Sequence, residues 1–137
     1  MERVTPEECA RLGCLQHPVD HSRVRLHRAG SGGSFRRLVL WVSRGRAVAL
    51  GNHVFLPGWS DGDLRVLAHE LTHCGQYQAW GPVRYYARGT ATQLRDLVHR
   101  TLGLGPSPYA YHLQPGKPFE SYGMEQQAQI VEDSFRG

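Results

Sequence analysis

No stretch of this chain is apolar for long enough to cross a bilayer, which takes about 20 consecutive residues as a helix. The N-terminus, Met1-Glu2-Arg3-Val4-Thr5-Pro6-Glu7-Glu8, is acidic and polar and lacks the apolar core of a secretory signal. Cytosolic synthesis is therefore expected, with later release by lysis or injection left open. Cysteine is scarce: Cys9, Cys14 and Cys74 make an odd count, which argues against a secreted disulfide scaffold, although Cys9 and Cys14 are close enough in sequence to bridge. Basic runs are lacking too. The formal net charge is +4 and the pI about 9.3, carried almost wholly by arginine. Those arginines are spread out, from Arg23 and Arg25 to Arg95 and Arg100, with no run of five. A solvated basic surface follows, and nucleic acid is not expected as a partner. There is no internal repeat and no linker, so residues 1–137 read as one domain with a single core.

What the chain does have is His69-Glu70-Leu71-Thr72-His73. This is H-E-x-x-H, the zinc-site pattern of a metallopeptidase helix. Residues four apart on a helix lie one turn apart on the same face, so two imidazoles can reach one ion. Glu70 sits beside the metal position, where its carboxylate can take a proton from a water on the metal. The flanking residues support a helix. Leu64, Leu67, Ala68, Leu71, Cys74 and Gln78 follow i, i+3, i+4, i+7 spacing, the pattern of a face packed on a core. His69, His73 and Gln76 share another face. Ser60 and Asp61 are expected to cap the start, with Asp63 in the first turn. Cys74 falls on the apolar face, so it reads as a small buried hydrophobe and not as a ligand.

A catalytic zinc site uses three protein ligands. Glu125 is the best candidate for the third, in a helix with the apolar stripe Met124, Ala128, Val131 and Phe135 and the polar stripe Glu125, Gln129 and Glu132. His99, His112, Glu120 and Asp133 remain alternatives, and a first-turn Glu also simply suits a helix dipole. The short-spaced third histidine of the metzincin pattern is absent after His73.

Around these elements, residues 1–19 read as a helical or irregular lead-in. Val24 to His27 alternates like a strand. Gly30–Ser34 is a loop. Phe35–Ser43 is read as a central strand, with a helix as the alternative, and Ser43–Arg46 as a turn. Ala47–Leu50 and His53–Leu56 are strands joined by Gly51-Asn52, and both are candidates for an edge along which an extended peptide adds. Trp80-Gly81-Pro82 breaks the chain. Thr90–Leu102 reads as a helix with Leu94, Leu97, Val98 and Thr101 on one face. Residues 103–118 carry four prolines and three glycines and form a long loop. The fold class is α+β: a small, mostly antiparallel sheet, the H-E-x-x-H helix, a connecting helix and a C-terminal helix carrying the Glu.

Several separate words occur in a fixed order. Val24-Arg25-Leu26-His27 is similar to "V-R-V-H", Arg46 to Val54 is similar to "R-A-x-x-x-G-N-H-I", and Leu67 to Gln76 is similar to "L-A-H-E-L-T-H-V-V-Q". Over residues 20–80 the chain thus resembles the metalloprotease-like core domain associated with bacterial extracellular contractile injection systems. It departs from that pattern at Cys74-Gly75 and Tyr77, none of which is a presumed ligand. The resemblance implies a minimal zincin-like fold and, in the gluzincin manner, a third ligand from a later helix, which matches Glu125.

The function expected is zinc-dependent hydrolysis of peptide bonds, by a protease or effector of a secretion or injection system. His69, His73 and Glu125 hold Zn²⁺, and Glu70 is the base. Tyr109, Tyr111, His112 and Tyr122 are all candidates for the oxyanion donor, and Tyr122 is counted with Glu70 among the catalytic residues. Glu132, or Asp133, and Gln76 orient the ligand histidines. The competing reading is a non-catalytic zinc-fold module for docking or assembly in the apparatus. Partners are then a peptide or protein substrate and components of that apparatus.

Overall fold

In the computed structural model, which describes Val4 and residues 19–27, 39, 46–60 and 63–134, three short strands precede three helices. The strands are β1 (Arg25–His27), β2 (Val48–Leu50) and β3 (His53–Phe55). The helices are α1 (Leu64–Trp80), α2 (Pro82–Leu102) and α3 (Met124–Ser134). Single 3₁₀ turns stand at His21–Arg23, Gly58–Ser60 and Phe119–Ser121. The α+β order, sheet first, is as expected.

The sheet runs β1-β3-β2 and is mixed, not mostly antiparallel. β2 and β3 form an antiparallel hairpin, while β1 pairs with β3 in parallel. A parallel pair needs a connection of a dozen or more residues, and the chain between His27 and His53 is long enough to supply it. His53–Phe55 is therefore the central strand, and of the two edge candidates only β2 lies at an edge among the described residues. The hairpin turns at Gly51, whose φ of +64° suits glycine, and a Cβ there would stand 3.2 Å from the Tyr77 ring.

Register explains the core. Leu26 pairs with Val54, and Val54 with Ala49, so one residue from each strand points to the same face. All three are buried, and they pack with Leu67, Ala68, Leu71 and Cys74 of α1 and Val131 of α3. The apolar face read from the sequence of α1 is the face that meets the sheet. α1 also packs along α3, which leaves it between the two. Cys74 is a free buried thiol, and burial pushes its pKa up, as a small hydrophobe requires.

Asp63, expected in the first turn, is itself the cap of α1: its carboxylate accepts from Arg65 N at 3.0 Å and Val66 N at 3.5 Å. Ser60 belongs to the preceding 3₁₀ turn. Gly81, at φ 81°, breaks the chain, and α2 starts at once with Pro82 in the first turn. The helix thus begins eight residues before Thr90. The segment Arg84-Tyr85-Tyr86-Ala87-Arg88-Gly89 carries no clean apolar period, so its helicity was hidden. The residues that α2 buries are Tyr85, Thr92 and Asp96. The periodic stripe of Leu94, Leu97 and Val98 is exposed at 58, 47 and 39%.

Residues 103–118 form neither helix nor strand, as expected. The segment is nevertheless tied down. His99 Nδ1 lies 2.8 Å from Gly105 O, Gln126 Nε2 donates to Ala110 O at 2.7 Å, and Tyr111 OH donates to Asp133 Oδ2 at 2.5 Å. No helix of the described residues is long and apolar enough to cross a membrane. Apart from Val4, the lead-in up to residue 18, including Cys9 and Cys14, lies outside the described residues, as do Gly30–Ser34, Asp61 and Phe135. So does Phe35–Ser43 apart from Val39, which is helical and so agrees with the alternative reading of that segment and not with a central strand.

Two substitutions check this account by urea denaturation. Asp63→Ala removes a cap and is expected to cost about 1 kcal/mol. Leu71→Ala opens a void between sheet and α3 and is expected to cost about 2–5 kcal/mol. Equal, small losses from both would contradict the placement of α1.

Candidate metal centre

His69 and His73 sit one turn apart on the side of α1 away from the sheet, with ring centroids 5.2 Å apart. α3 lies along that side, and its first turn brings Glu125 between the rings. Glu125 Oε1 is 3.5 Å from His69 Nε2 and 2.5 Å from His73 Nε2. One donor atom from each of the three residues lies within 4.8 Å of the other two. Among the described residues this is the one such group. His73 and Glu125 are buried, and His69 nearly so.

The site fits a metal ion. Despite the short separations, Glu125 Oε1 and His69 Nδ1 are buried without an aligned hydrogen bond. Buried polar atoms are costly in that state, so a missing cation is the simplest partner for a carboxylate oxygen facing two imidazole nitrogens. Two nitrogens and one oxygen are a transition-metal donor set, whereas Ca²⁺ and Mg²⁺ take oxygen.

Electrostatics say the same. Burial works to lower the pKa of His69, but the carboxylates of Glu125 and Glu132, with Glu70, outweigh it and raise the value to about 10. His73 is likewise raised: burial opposes, and Glu125 prevails. Burial pushes Glu125 up, yet the two histidines hold it below the usual carboxylate range. The cluster attracts positive charge, as a proton or as a metal ion.

The remaining expected residues divide. Glu132 Oε1 lies 3.1 Å from His69 Nδ1, close enough to attract and off the line of a ring N–H. Its carboxyl pKa is lowered, chiefly by His69. Gln76 Oε1 lies 2.8 Å from His73 Nδ1. Glu70 is buried beside the cluster, its side chain makes no hydrogen bond among the described residues, and burial raises its pKa against the pull of His69 and His73. The third-ligand alternatives do not join the group. His99 turns to Gly105 O, His112 and Glu120 are exposed, and Asp133 meets Tyr111 and Gln129. Tyr122 is buried, its hydroxyl accepts from Gln114 N at 3.0 Å, and Lys117 stands over its ring. Those contacts tie it to the long loop and not to the three donors. Tyr109 feels Glu125, as Tyr85 does: burial and then the Glu125 charge raise the pKa of Tyr109.

One residue was missed. Gln127 is buried at 1% exposure and bonds to Gln76. Its signal was a glutamine three residues after Met124, on the apolar side of a helix where a polar amide has no business unless it is paired.

Comparison with known proteins bears on the same stretch. The family described as the eCIS core domain matches residues 16–81, which include β1 to β3 and α1 but not Glu125. The Type VI secretion system spike protein VgrG2b of Pseudomonas aeruginosa is 32% identical over 133 residues, 90% of this chain and 12% of its own length. The chain thus spans about an eighth of that relative. No solved structure matches this chain. The matches bear out the association with bacterial injection systems that the words from Val24 to Gln76 suggested.

Glu125→Ala tests the centre. In the unaltered protein, addition of a divalent transition-metal ion should raise the melting temperature, by an amount equivalent to about 2.7 kcal/mol at a hundredfold excess over Kd. The variant should show no such rise. An equal rise in both would place the third ligand elsewhere.

Proposed function

We propose that this chain is a zinc-dependent peptide hydrolase of zincin-like, gluzincin-like fold, delivered by or with a bacterial injection apparatus. The observation that carries the reading is Glu70. A structural zinc site takes four protein ligands and has no use for a base. Here three donors converge, and a further buried carboxylate without a hydrogen bond stands beside them. Zinc held by His69, His73 and Glu125 would supply a Lewis acid for the scissile carbonyl and acidify a water molecule.

The chain's own groups do the rest. Glu70 accepts the proton of the attacking water and hands it to the leaving amine. Burial keeps its pKa above the ordinary carboxylate range, which suits a group that must both take and give a proton. Gln76 holds the outer ring nitrogen of His73, and Glu132 stands behind that of His69 and acts on it by charge. For the oxyanion, Tyr122 is the proposed donor: its oxygen accepts from Gln114 N, so its own hydrogen is not used in that bond, although its contacts lie with the long loop. β2, at an edge among the described residues, offers main-chain groups to an extended peptide. A cleft of about 650 Å³ lined by Val98, Leu104, Pro106 and Met124 adjoins the first turn of α3 and suits an apolar side chain.

A second reading is favoured by likeness: a zinc-fold module that docks or assembles in the apparatus without catalysis. Both the eCIS core domain and the VgrG2b spike protein carry names from such machinery.

Glu70→Gln separates the two. The hydrolase reading expects zinc content to stay as in the unaltered protein while cleavage of an unfolded casein-like substrate falls about 10²–10⁴-fold. Unchanged turnover would remove Glu70 as the base. Zinc-loaded, unaltered protein that cleaves nothing in a peptide library would favour docking.

A further inference from the structure

Gln127 and Gln76 form a buried relay that ends on a metal ligand. Gln76 is fully buried, Gln127 is 1% exposed and His73 6%, so water cannot exchange for any of their partners. The relay starts on peptide oxygens, which only accept. Gln127 Nε2 donates to Tyr122 O at 2.9 Å and to Glu120 O at 3.4 Å. Its NH₂ end is thereby fixed on backbone, and its Oε1 is left to face Gln76. Gln76 Nε2 donates to that oxygen at 3.1 Å and to Met124 O at 2.9 Å. Both hydrogens of the Gln76 amide are then committed, and its Oε1 faces His73 Nδ1 at 2.8 Å.

An amide oxygen can only accept, so the hydrogen in that last bond belongs to His73 Nδ1. Nε2 of His73 is then the nitrogen that faces Glu125 Oε1 and is left for an ion. Turning either amide over would set oxygen against oxygen at Met124 or Tyr122, and NH₂ against NH₂ between the glutamines. The backbone at the entrance to α3 thus fixes which nitrogen of a histidine on α1 carries the hydrogen. The same segment carries Glu125, so one set of bonds places the carboxylate ligand and orients the imidazole.

We infer that Gln127 is a positioning residue of the metal centre, acting through Gln76 to hold His73 with Nδ1 as donor and Nε2 free for the ion. The inference rests on the metal reading above. It is tested by chelator competition for zinc with the unaltered protein, Gln76→Met, Gln127→Met and the double variant. Each single change is expected to weaken zinc binding about 10–100-fold, the usual effect of losing such a partner. The double variant should lose less than the two single losses added together, since the two amides act on His73 through one chain of bonds. Losses that add, or Gln127→Met binding like the unaltered protein, would overturn the relay. Where a variant fails to fold, ring-nitrogen NMR of the unaltered, zinc-loaded protein decides: a slowly exchanging hydrogen on His73 Nδ1 is expected, and one on Nε2 would overturn the inference. Unaltered protein that takes up no zinc would remove the metal reading, and this inference with it.

Discussion

The contact between the first turn of α3 and the outer face of α1 is the constraint on which the rest depends. α1 is committed on both sides. Its apolar face, Leu67, Ala68, Leu71 and Cys74, fills the space under the sheet. Its other face presents His69, His73 and Gln76 to α3. The apolar stripe of α3 turns inward at Ala128 and Val131, and that packing carries Glu125 to the two rings. Burying a carboxylate and two imidazoles would be destabilising without a charge to balance them, so the packing and the cation are one problem.

Charge is arranged around that need. The chain as a whole is basic, with a formal net charge of +4. Around the two histidines the sign is reversed, with Glu70, Glu125 and Glu132 all acting on His69. A buried group of opposite sign inside a basic chain is suited to a cation. Each carboxylate has a distinct position: Glu125 facing both rings, Glu132 behind His69, and Glu70 beside them.

Much of this was legible in the residues, and the physical reason is the shortness of the relevant distances along the chain. The α1 helix, its buried face and the register of His69 and His73 follow from one period, and Glu125 followed from a second period plus a family resemblance. The sheet was less legible. Strands of three residues carry little pattern, and the parallel pairing of Arg25–His27 with His53–Phe55 depends on a long connection. The first turns of α2 were hidden because Tyr85, the residue they bury, stands among arginines and tyrosines without a repeating stripe. The cap of α1 was misplaced by a few residues, since Ser60, Asp61 and Asp63 are all good caps and only geometry chooses. Gln127 was missed because a glutamine's role depends on which oxygen it meets, and that is set by two helices 48 or more residues apart in sequence, as Gln76 and Met124 are.

The most direct measurement is the metal's own coordination, by X-ray absorption at the zinc edge on the purified protein and on Glu125→Ala. The account predicts zinc bound by two imidazole nitrogens at about 2.0–2.1 Å and a carboxylate oxygen at about 2.0–2.2 Å, with the oxygen lost in the variant. A sulfur ligand, a third histidine, or a spectrum unchanged by Glu125→Ala would contradict it.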